Sequence, residues 1–470
     1  MNSERIMKIL SLSTSDIGGG AERFANDLNL SFRLAGHTVE EFVGFKRSVH
    51  SDHRLISSTQ DRSSIQLIYD KLEGLIPNSI LSLRGFRRGF YYLRTASRGI
   101  NAINHELGRQ GYHHPASWRV VDQSASVPDL ILAHNLHGGY FDLRTLSYFS
   151  QKFPVFWILH DEWAYTGRCA HSQSCQGWRQ NCGICPDLTS YTAFPRDAST
   201  YNLNFKKKIY QKSKLFLASP SAWIADRIKH SILSSTMEQV RVIPYGVDQS
   251  VFRPGCQLSA RKRLMIDQEC FVGTFIAVNA RKNQWKDYST LESAVFQLAE
   301  MYPNRKIHFF VLGDRHDPIN HLRTTIQFVD GVIDKSIVRD YLVASDVYLH
   351  SAKIDNYPIA VLEALSCGTP VIGSAVGGIP EQVSGYEKYQ NELSSFNQSS
   401  IESTTGLLVD LNSAQQQAKA LEYLMLDPEL RSKMSTNCVK DSQKRFNITK
   451  QSQQYIEWFT QVINEKSLTR

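Results

Sequence analysis

Residues Lys8–Ala35 read KILSLSTSDIGGGAERFANDLNLSFRLA. Lys8–Ser13 is a short apolar run interrupted only by serine, and it leads into the glycine run Gly18, Gly19 and Gly20. From Ala21 to Ala35 the period changes. Phe24, Leu28 and Phe32 recur at every fourth position, which puts them on one stripe of a helix. A buried strand, a glycine turn and an amphipathic helix are how a doubly wound α/β sheet begins. The glycine run is a candidate acceptor or phosphate loop, because without Cβ atoms the backbone can approach a ligand closely. The dinucleotide fingerprint G-x-G-x-x-G is not completed, since Arg23 stands at its last glycine position, and this disfavours a nicotinamide oxidoreductase.

Working outward, apolar runs bounded by polar residues recur at Leu130–Ala133, Val155–Leu159 and Leu215–Ala218, as expected for parallel strands covered on both faces. After VIPYGVDQSVFRP (242–254), where Pro244, Gly246 and Pro254 punctuate a connection, a second series begins. Its strands are expected at Val272–Val278, Ile307–Leu312, Asp346–His350 and Pro370–Gly373. The final segment Gln451–Glu465 carries Tyr455, Phe459 and Val462 at helical spacing and reads as a docking helix. The predicted organisation is an α/β chain with domains at 1–245 and 246–445 and a returning helix within 446–470. A length of 470 residues suits two cores rather than one.

The chain is 42% hydrophobic and 21% charged, a globular balance, and its net charge of +8 suits anionic partners without choosing among them. No block of like charge argues for nucleic-acid binding. The N-terminus lacks the long apolar core and cleavage pattern of a signal peptide, and no run of about 18 apolar residues occurs, so a cytoplasmic protein is expected. One segment stands apart. LRGFRRGFYYLRTASRG (83–99) mixes arginines with aromatic residues and has no acidic residue. It reads either as a solvated helical excursion or as an element that meets an anionic membrane surface or an acceptor, so peripheral membrane attachment is one expectation for the Arg84–Arg98 region.

The stretch richest in chemistry is SAKIDNYPIAVLEALSCGTPVIGSAVGGIPEQV (351–383). Asp355 and Glu363 lie eight positions apart, and Pro358 suits the first turn of a helix, where a missing N–H costs nothing. The free N–H groups of such a turn suit a phosphate or a sugar oxygen, and Glu363 could accept hydrogen bonds from ribose hydroxyls. Gly377 and Gly378 open a second loop at the same sheet edge, where open α/β folds bind ligands. By spacing alone the stretch could equally be an ordinary helix–turn–strand unit with exposed acids.

Asp355-x7-Glu363 followed by ALSCGTPVI and VGGIPE resembles the signature of retaining glycosyltransferases of family 4, which have the GT-B fold. That signature usually has glutamate at both acidic positions, so Asp355 is a departure. The resemblance continues through IPYGVDQSVFRP, SPSAWIADRI and GGGAERFA, and so covers nearly the whole chain. It implies two Rossmann-like domains facing across a cleft, with the acceptor bound mainly by the first and a nucleotide-sugar donor mainly by the second. It also implies that Glu363 contacts the donor ribose and Asp355 a hydroxyl of the donor sugar, while backbone amides of Asn356, Tyr357, Pro358 and Ile359 border the sugar and phosphates. In FIAVNARKNQWKDYSTL (275–291) the resemblance places Lys286 and Arg281 on the donor diphosphate. Fixed cations there would stabilise the charge that develops on the leaving group. His160, after the strand VFWIL, corresponds to a functional histidine near the transferred sugar. No protein nucleophile is implied.

Cys169, Cys175, Cys182 and Cys185 fall within GRCAHSQSCQGWRQNCGICPDL (167–188). Four thiols in seventeen residues, ending in C-x-x-C, have a credible zinc-ligand spacing, with His171 as a further candidate. Structural zinc, clustered reduced thiols and redox chemistry all remain open on spacing, and no cofactor is expected for catalysis itself. The leading expectation is an enzyme that transfers sugar, with retention, from a nucleotide diphosphate donor to a glycan or lipid-linked acceptor during exopolysaccharide, capsule or lipopolysaccharide assembly. A nucleotide-sugar epimerase or hydrolase of the same fold and a non-catalytic scaffold are the alternatives.

Overall fold

The structure is a computed structural model that describes residues 5–49, 52–56, 100–235, 237–331, 334–384 and 403–468. Arg84–Arg98, to which the membrane expectation attaches, lie outside the described residues. Two compact units emerge. The first comprises residues 1–219, 225–241 and 456–470, and the second residues 220–224 and 242–455.

The first unit is built on a seven-stranded sheet of order β3-β2-β1-β4-β5-β6-β7, with β1 at Lys8–Ser15, β2 at Thr38–Phe45, β3 at Arg54–Leu55, β4 at Leu130–Ala133, β5 at Val155–Ile158, β6 at Leu215–Ser219 and β7 at Met237–Val242. β1 lies parallel to both β2 and β4, and β4, β5 and β6 continue parallel. The four residues of β4 and of β5 are all buried, which is why these strands show as continuous apolar runs. The helix Gly20–Leu34 buries Phe24, Leu28 and Phe32 along its expected stripe. Helix Ile448–Leu468 ends in this unit, where the Phe459 ring sits 5.7 Å from that of Phe32 and 4.4 Å from that of Phe156. Burying an aromatic ring of this size contributes roughly 1.5–3 kcal/mol relative to leaving it exposed.

The second unit repeats the plan. Its sheet has the order β10-β11-β9-β8-β12-β13-β14, with β8 at Phe271–Ile276, β9 at Ile307–Leu312, β10 at Ile319–His321, β11 at Thr324–Val329, β12 at Val347–His350, β13 at Val371–Ser374 and β14 at Gly406–Val409. All pairings described are parallel except β10 with β11. Taken from β8 onward without the short β10 hairpin strand, the order is the doubly wound 3-2-1-4-5-6, and the first sheet has the same order. The side of the sheet to which the chain adds strands therefore reverses between β1 and β4 and again between β8 and β12. The carboxyl ends of those pairs are where an open α/β sheet leaves a crevice for a ligand.

The expected elements form with small shifts. Pro358 is the N-cap of helix Ile359–Cys367 rather than a residue of its first turn, because its ψ of 122° is extended. The strand predicted at Val272–Val278 ends at Ile276, where the chain turns out toward Asn279 in a left-handed conformation (φ 50°). Among the described helices, none is long and apolar enough to cross a membrane.

Candidate functional site

At the carboxyl end of β8 the chain leaves the sheet through residues 277–287, and at the carboxyl end of β12 it leaves through residues 351–358. These two loops bring Lys286, His350 and Asp355 together. The Lys286 ammonium donates to Asp355 Oδ2, and His350 Nε2 lies 3.1 Å from Lys286 Nζ and 3.2 Å from Asp355 Oδ2. On its other side, His350 Nδ1 meets the Tyr348 hydroxyl at 3.0 Å. An antiparallel bridge between Lys286 and Ala352 fixes the two loops to each other. Burial pushes the His350 imidazole down to about 4, and the neighbouring ammonium acts in the same direction, so the ring is neutral at physiological pH. Burial alone would raise the Asp355 carboxyl, but Lys286 and His350 outweigh it and hold the group well below the usual carboxylate range.

The glycine pair predicted to open the second loop has a steric reason. A Cβ on Gly377 would lie 1.8 Å from the Asp355 carbonyl oxygen, and Gly377 has φ +59°. A Cβ on Gly378 would lie 2.0 Å from the Asn356 carbonyl oxygen, and the Gly378 amide donates to Asp355 O at 3.2 Å. Any side chain here would displace the 355–356 backbone, so the glycines set the position of the acid. Asn356 is further held by the Ser221 hydroxyl, 2.6 Å from its Oδ1. Helix Ile359–Cys367 starts immediately after, with no side chain capping its first turn, and carries Glu363 on a buried face. Its N-terminus supplies backbone donors and the positive end of the helix dipole.

Arg281 takes a different place. Its backbone amide and Nε donate to Asp314 Oδ2 at 2.9 and 3.3 Å, its Nη2 donates to Arg315 O at 3.2 Å, and the guanidinium lies over the Phe328 ring. The structure therefore joins Lys286 to Asp355 and leaves Arg281 on Asp314 rather than in the same cluster.

In the first unit, His160 follows β5 as expected, and its Nε2 sits 3.0 Å from Nδ1 of His134, which follows β4. The two rings stack with 5.3 Å between centroids, and Phe24 presents an edge to each. Burial, reinforced by the paired ring, lowers the His160 imidazole well below its ordinary value, and burial pushes His134 down to about 4. The pair is thus neutral and shares one hydrogen bond. Asp161, beside His160 in the chain, accepts from His137 Nε2 at 2.8 Å, while His137 Nδ1 meets the Tyr191 hydroxyl at 2.9 Å. Gly18 precedes and Gly19 caps the helix Gly20–Leu34, at the carboxyl end of β1 and with no side-chain cap. Sequence reading singled out none of His134, His137, Asp161 and His350. Position at a strand end, the signal that marked His160, was equally available for His134 and His350.

The cysteine loop is held first by an arginine. Arg168 is 1% exposed, and its guanidinium donates to the carbonyls of Asp187, Leu188, Ser190 and Thr192. Cys169, Cys175, Cys182 and Cys185 line one cavity of about 30 Å³. Burial pushes the Cys169 thiol up to about 12 and raises Cys182 as well. Among the described residues no three His, Cys, Asp or Glu side chains are disposed to hold a metal ion as they stand. The Cys185 thiol instead donates to Asp187 O at 3.2 Å, and Cys175 Sγ accepts from the Gly177 amide at 3.4 Å. The spacing that reads as a zinc motif thus gathers the thiols without closing them on a common centre.

Comparison with known proteins finds a family match within the second unit. Residues 274–441 match the model of the family described as Glycosyl transferases group 1. More particularly, the Escherichia coli protein WcaC, assigned to colanic acid biosynthesis as a glycosyl transferase, is 26% identical over 273 residues, covering 55% of this chain and 62% of WcaC. The D-inositol 3-phosphate glycosyltransferase of Actinosynnema mirum is 29% identical over 216 residues, 43% of this chain and 47% of that one. The chain thus spans between about half and just under two thirds of the length of these curated relatives. Among solved structures, the sucrose-phosphate synthase of Thermosynechococcus elongatus superposes with a TM-score of 0.60 at 17% identity, covering 98% of this chain and 100% of that one. Anabaena HepE in complex with UDP and glucose superposes with a TM-score of 0.57 at 16% identity, over 97% and 99%. At these identities the likeness is one of fold, the paired Rossmann-like units of GT-B.

Proposed function

We propose that this chain is a glycosyltransferase that moves a sugar, with retention, from a nucleoside diphosphate donor to a glycan or lipid-linked acceptor in surface polysaccharide assembly. The observation that carries this reading is the convergence of Lys286, His350 and Asp355 at the β8/β12 reversal, beside the helix start at Ile359 and within the segment that matches group 1 glycosyl transferases. Lys286 neutralises charge that builds on the leaving diphosphate, which is where a fixed cation contributes most. Asp355 holds the ammonium in place and offers its second oxygen to a hydroxyl of the donor sugar. Backbone N–H groups of Asn356, Tyr357 and Ile359 meet the sugar and phosphate oxygens, with Pro358 bordering them, Glu363 meets the ribose, and His160 orients the transferred sugar. Arg281 serves the diphosphate only if it exchanges Asp314 for it. Peripheral attachment at an anionic surface through Arg84–Arg98 belongs to the same proposal and rests on sequence alone.

The test is calorimetric titration of the full chain with UDP and GDP, followed by assay of UDP-sugars and GDP-sugars for transfer and for acceptor-independent turnover. UDP is the first choice because HepE is seen with UDP and glucose. One diphosphate should bind, and Glu363→Gln should weaken it about tenfold by removing charge from the acceptor of the ribose hydroxyls, about 1.4 kcal/mol. His160→Ala should leave that affinity unchanged while lowering transfer about a hundredfold, about 2.7 kcal/mol. Donor turnover that ignores every acceptor would favour the epimerase or hydrolase reading, and failure to bind either diphosphate would sink both.

For the cysteine loop we propose a structural zinc ion, taken by inward rotation of the four thiols. Two features support it. The thiols share one small cavity, and the buried cations Arg168 and Lys206 flank them without making an ion pair among the described residues. Lys206 donates only to the carbonyls of Trp163 and Thr166, and burial pushes it down to about 7. A zinc tetrathiolate carries two negative charges and would balance both cations. Metal analysis of protein purified without a histidine tag should give close to one zinc per chain. A zinc content near zero with four thiols titratable in the folded protein would leave Arg168 as the sole organiser of the loop.

A further inference from the structure

A well-formed cavity lies wholly within the first unit and is lined by none of the residues given a role above. Its volume is about 350 Å³, enough for a hexose with a substituent. It opens beside Gly138 and Gly139, both at positive φ (101° and 78°), in the connection that leaves the carboxyl end of β4. This is the edge at which a doubly wound sheet binds its ligands.

Three features of its wall point to a particular kind of occupant. Aromatic rings among its lining come from Trp163, Tyr191 and Phe194. Such rings pack against the C–H side of a pyranose, which is apolar, while leaving its hydroxyls at the rim. Next, two residues of the wall, His137 and Tyr191, are held by hydrogen bonds to each other and to Asp161, which lies outside the lining. Asp161 is kept ionised, chiefly against burial and by His137, so it can only accept, and His137 Nε2 must donate to it. The Tyr191 hydroxyl, 2.9 Å from His137 Nδ1, is thereby oriented from behind. Finally, the wall has unsatisfied donors. Trp163 is 3% exposed, and its indole N–H finds no acceptor among the described residues. A buried donor left unpaired destabilises the fold, a cost that a bound oxygen would remove. Arg109 lines the same cavity and makes no ion pair among the described residues, its guanidinium lying over the Tyr201 ring at 4.4 Å. No carboxylate is among the described residues that line the cavity, and the nearby Asp161, which does not line it, is already matched by His137.

We infer that this cavity is the acceptor site, and that the acceptor presents there a pyranose bearing an anionic oxygen group, either the carboxylate of a uronic acid or a phosphate. Arg109 meets the charge, the Trp163 N–H and the Tyr191 hydroxyl meet ring substituents, and the aromatic walls hold the ring. This inference rests on the transferase reading above, which supplies the need for an acceptor.

The full chain should be titrated with methyl glucuronide, glucose 1-phosphate and methyl glucoside, following intrinsic tryptophan fluorescence. At least one anionic sugar should bind ten times or more tightly than methyl glucoside. Preference for the glucuronide assigns a uronic acid, and preference for the phosphate assigns a phosphorylated or lipid-phosphate acceptor. Arg109→Gln should abolish the preference. Trp163→Phe, which keeps the ring and removes the N–H, should weaken binding several-fold, and neither variant should alter affinity for UDP or GDP. Equal binding of the neutral sugar, an undiminished preference in Arg109→Gln, or no sugar binding at millimolar concentration in protein that binds a diphosphate normally would overturn the inference. If the anionic sugar binds but neither diphosphate does, the cavity stands and the transferase reading falls.

Discussion

Lys286→Ala is expected to lower turnover by roughly 10²–10³-fold, about 2.7–4 kcal/mol of transition-state stabilisation, while changing donor affinity far less. The reason lies in timing. A bound nucleoside diphosphate sugar already carries its phosphate charges, but bond cleavage adds charge to the bridging oxygen, and an ammonium fixed beside it is worth most at that moment. Asp355 and His350 hold Lys286 in place before substrate arrives, so little of its interaction is spent on ordering the side chain. The variant also has a spectroscopic signature. Lys286 is one of the two causes that push His350 down to about 4, so its removal should raise the histidine's titration toward neutrality, where Asp355 would then favour the imidazolium. NMR titration of His350 in wild type and Lys286→Ala would record this. Lys286→Arg keeps the charge but not its position, because a planar guanidinium cannot occupy the site of a compact ammonium, and should recover only part of the rate. Wild-type turnover in Lys286→Ala would remove the lysine from the chemistry and with it the main support for the donor site.

The two-unit plan was legible because fully buried parallel strands write themselves as short apolar runs. LILA at β4 and VFWI at β5 are examples, and both form within a residue of their expected bounds. What escaped were strands that are only half-buried or whose core face is narrow. β2 (TVEEFVGF) and β7 (MEQVRV) intersperse glutamate and arginine with apolar residues; β2 buries Val39 and Phe42–Gly44 around two half-buried glutamates, and no residue of β7 is fully buried. β11 (TTIQFV) alternates strictly, yet its threonines and glutamine read as loop when no partner strand is in view. In the site, the contiguous motif from Ser351 to Val383 disclosed Asp355, Glu363 and the glycine pair, and the structure supplies the reason for the glycines, the carbonyl oxygens of Asp355 and Asn356 against their α-carbons. Side chains that meet across long separations were not legible. His350 reaches Lys286 over 64 positions, His134 reaches His160 over 26, and His137 reaches Tyr191 over 54, and nothing local in NLHGG announces such partners. The cysteine spacing is the converse case. Local pattern disclosed the cluster, and all four thiols do line one cavity, but it gave no hint that the preceding residue, Arg168, organises the loop.

Arg168 is therefore the position at which a single substitution should cost the first unit most. Its guanidinium is buried beside Cys185 Sγ, at 3.6 Å, and is spent on the carbonyls of residues 187–192, which have no helix or strand to satisfy them. Arg168→Ala removes donors from four buried or half-buried acceptors at once and opens a cavity where the side chain lay. Charge-assisted hydrogen bonds contribute about 1.5–3 kcal/mol each, non-additively, so a loss of roughly 3–5 kcal/mol is expected. Arg168→Lys should recover little, since three donors on a flexible stem cannot span carbonyls from Asp187 to Thr192. Because the units have separate cores, the loss should appear as an earlier transition for the first unit in calorimetry, with the second unit's diphosphate binding intact. Hydrogen exchange offers the sharper reading. Amides of residues 187–194 should lose protection before those of β4 and β5, and because Tyr191 and Phe194 form part of the wall of the 350 Å³ cavity, the same variant should lose anionic sugar binding. If Arg168→Ala unfolds within 1 kcal/mol of wild type, a difference too small for a lost charge-assisted cage, then the thiols or a metal they hold, and not the guanidinium, fix the loop.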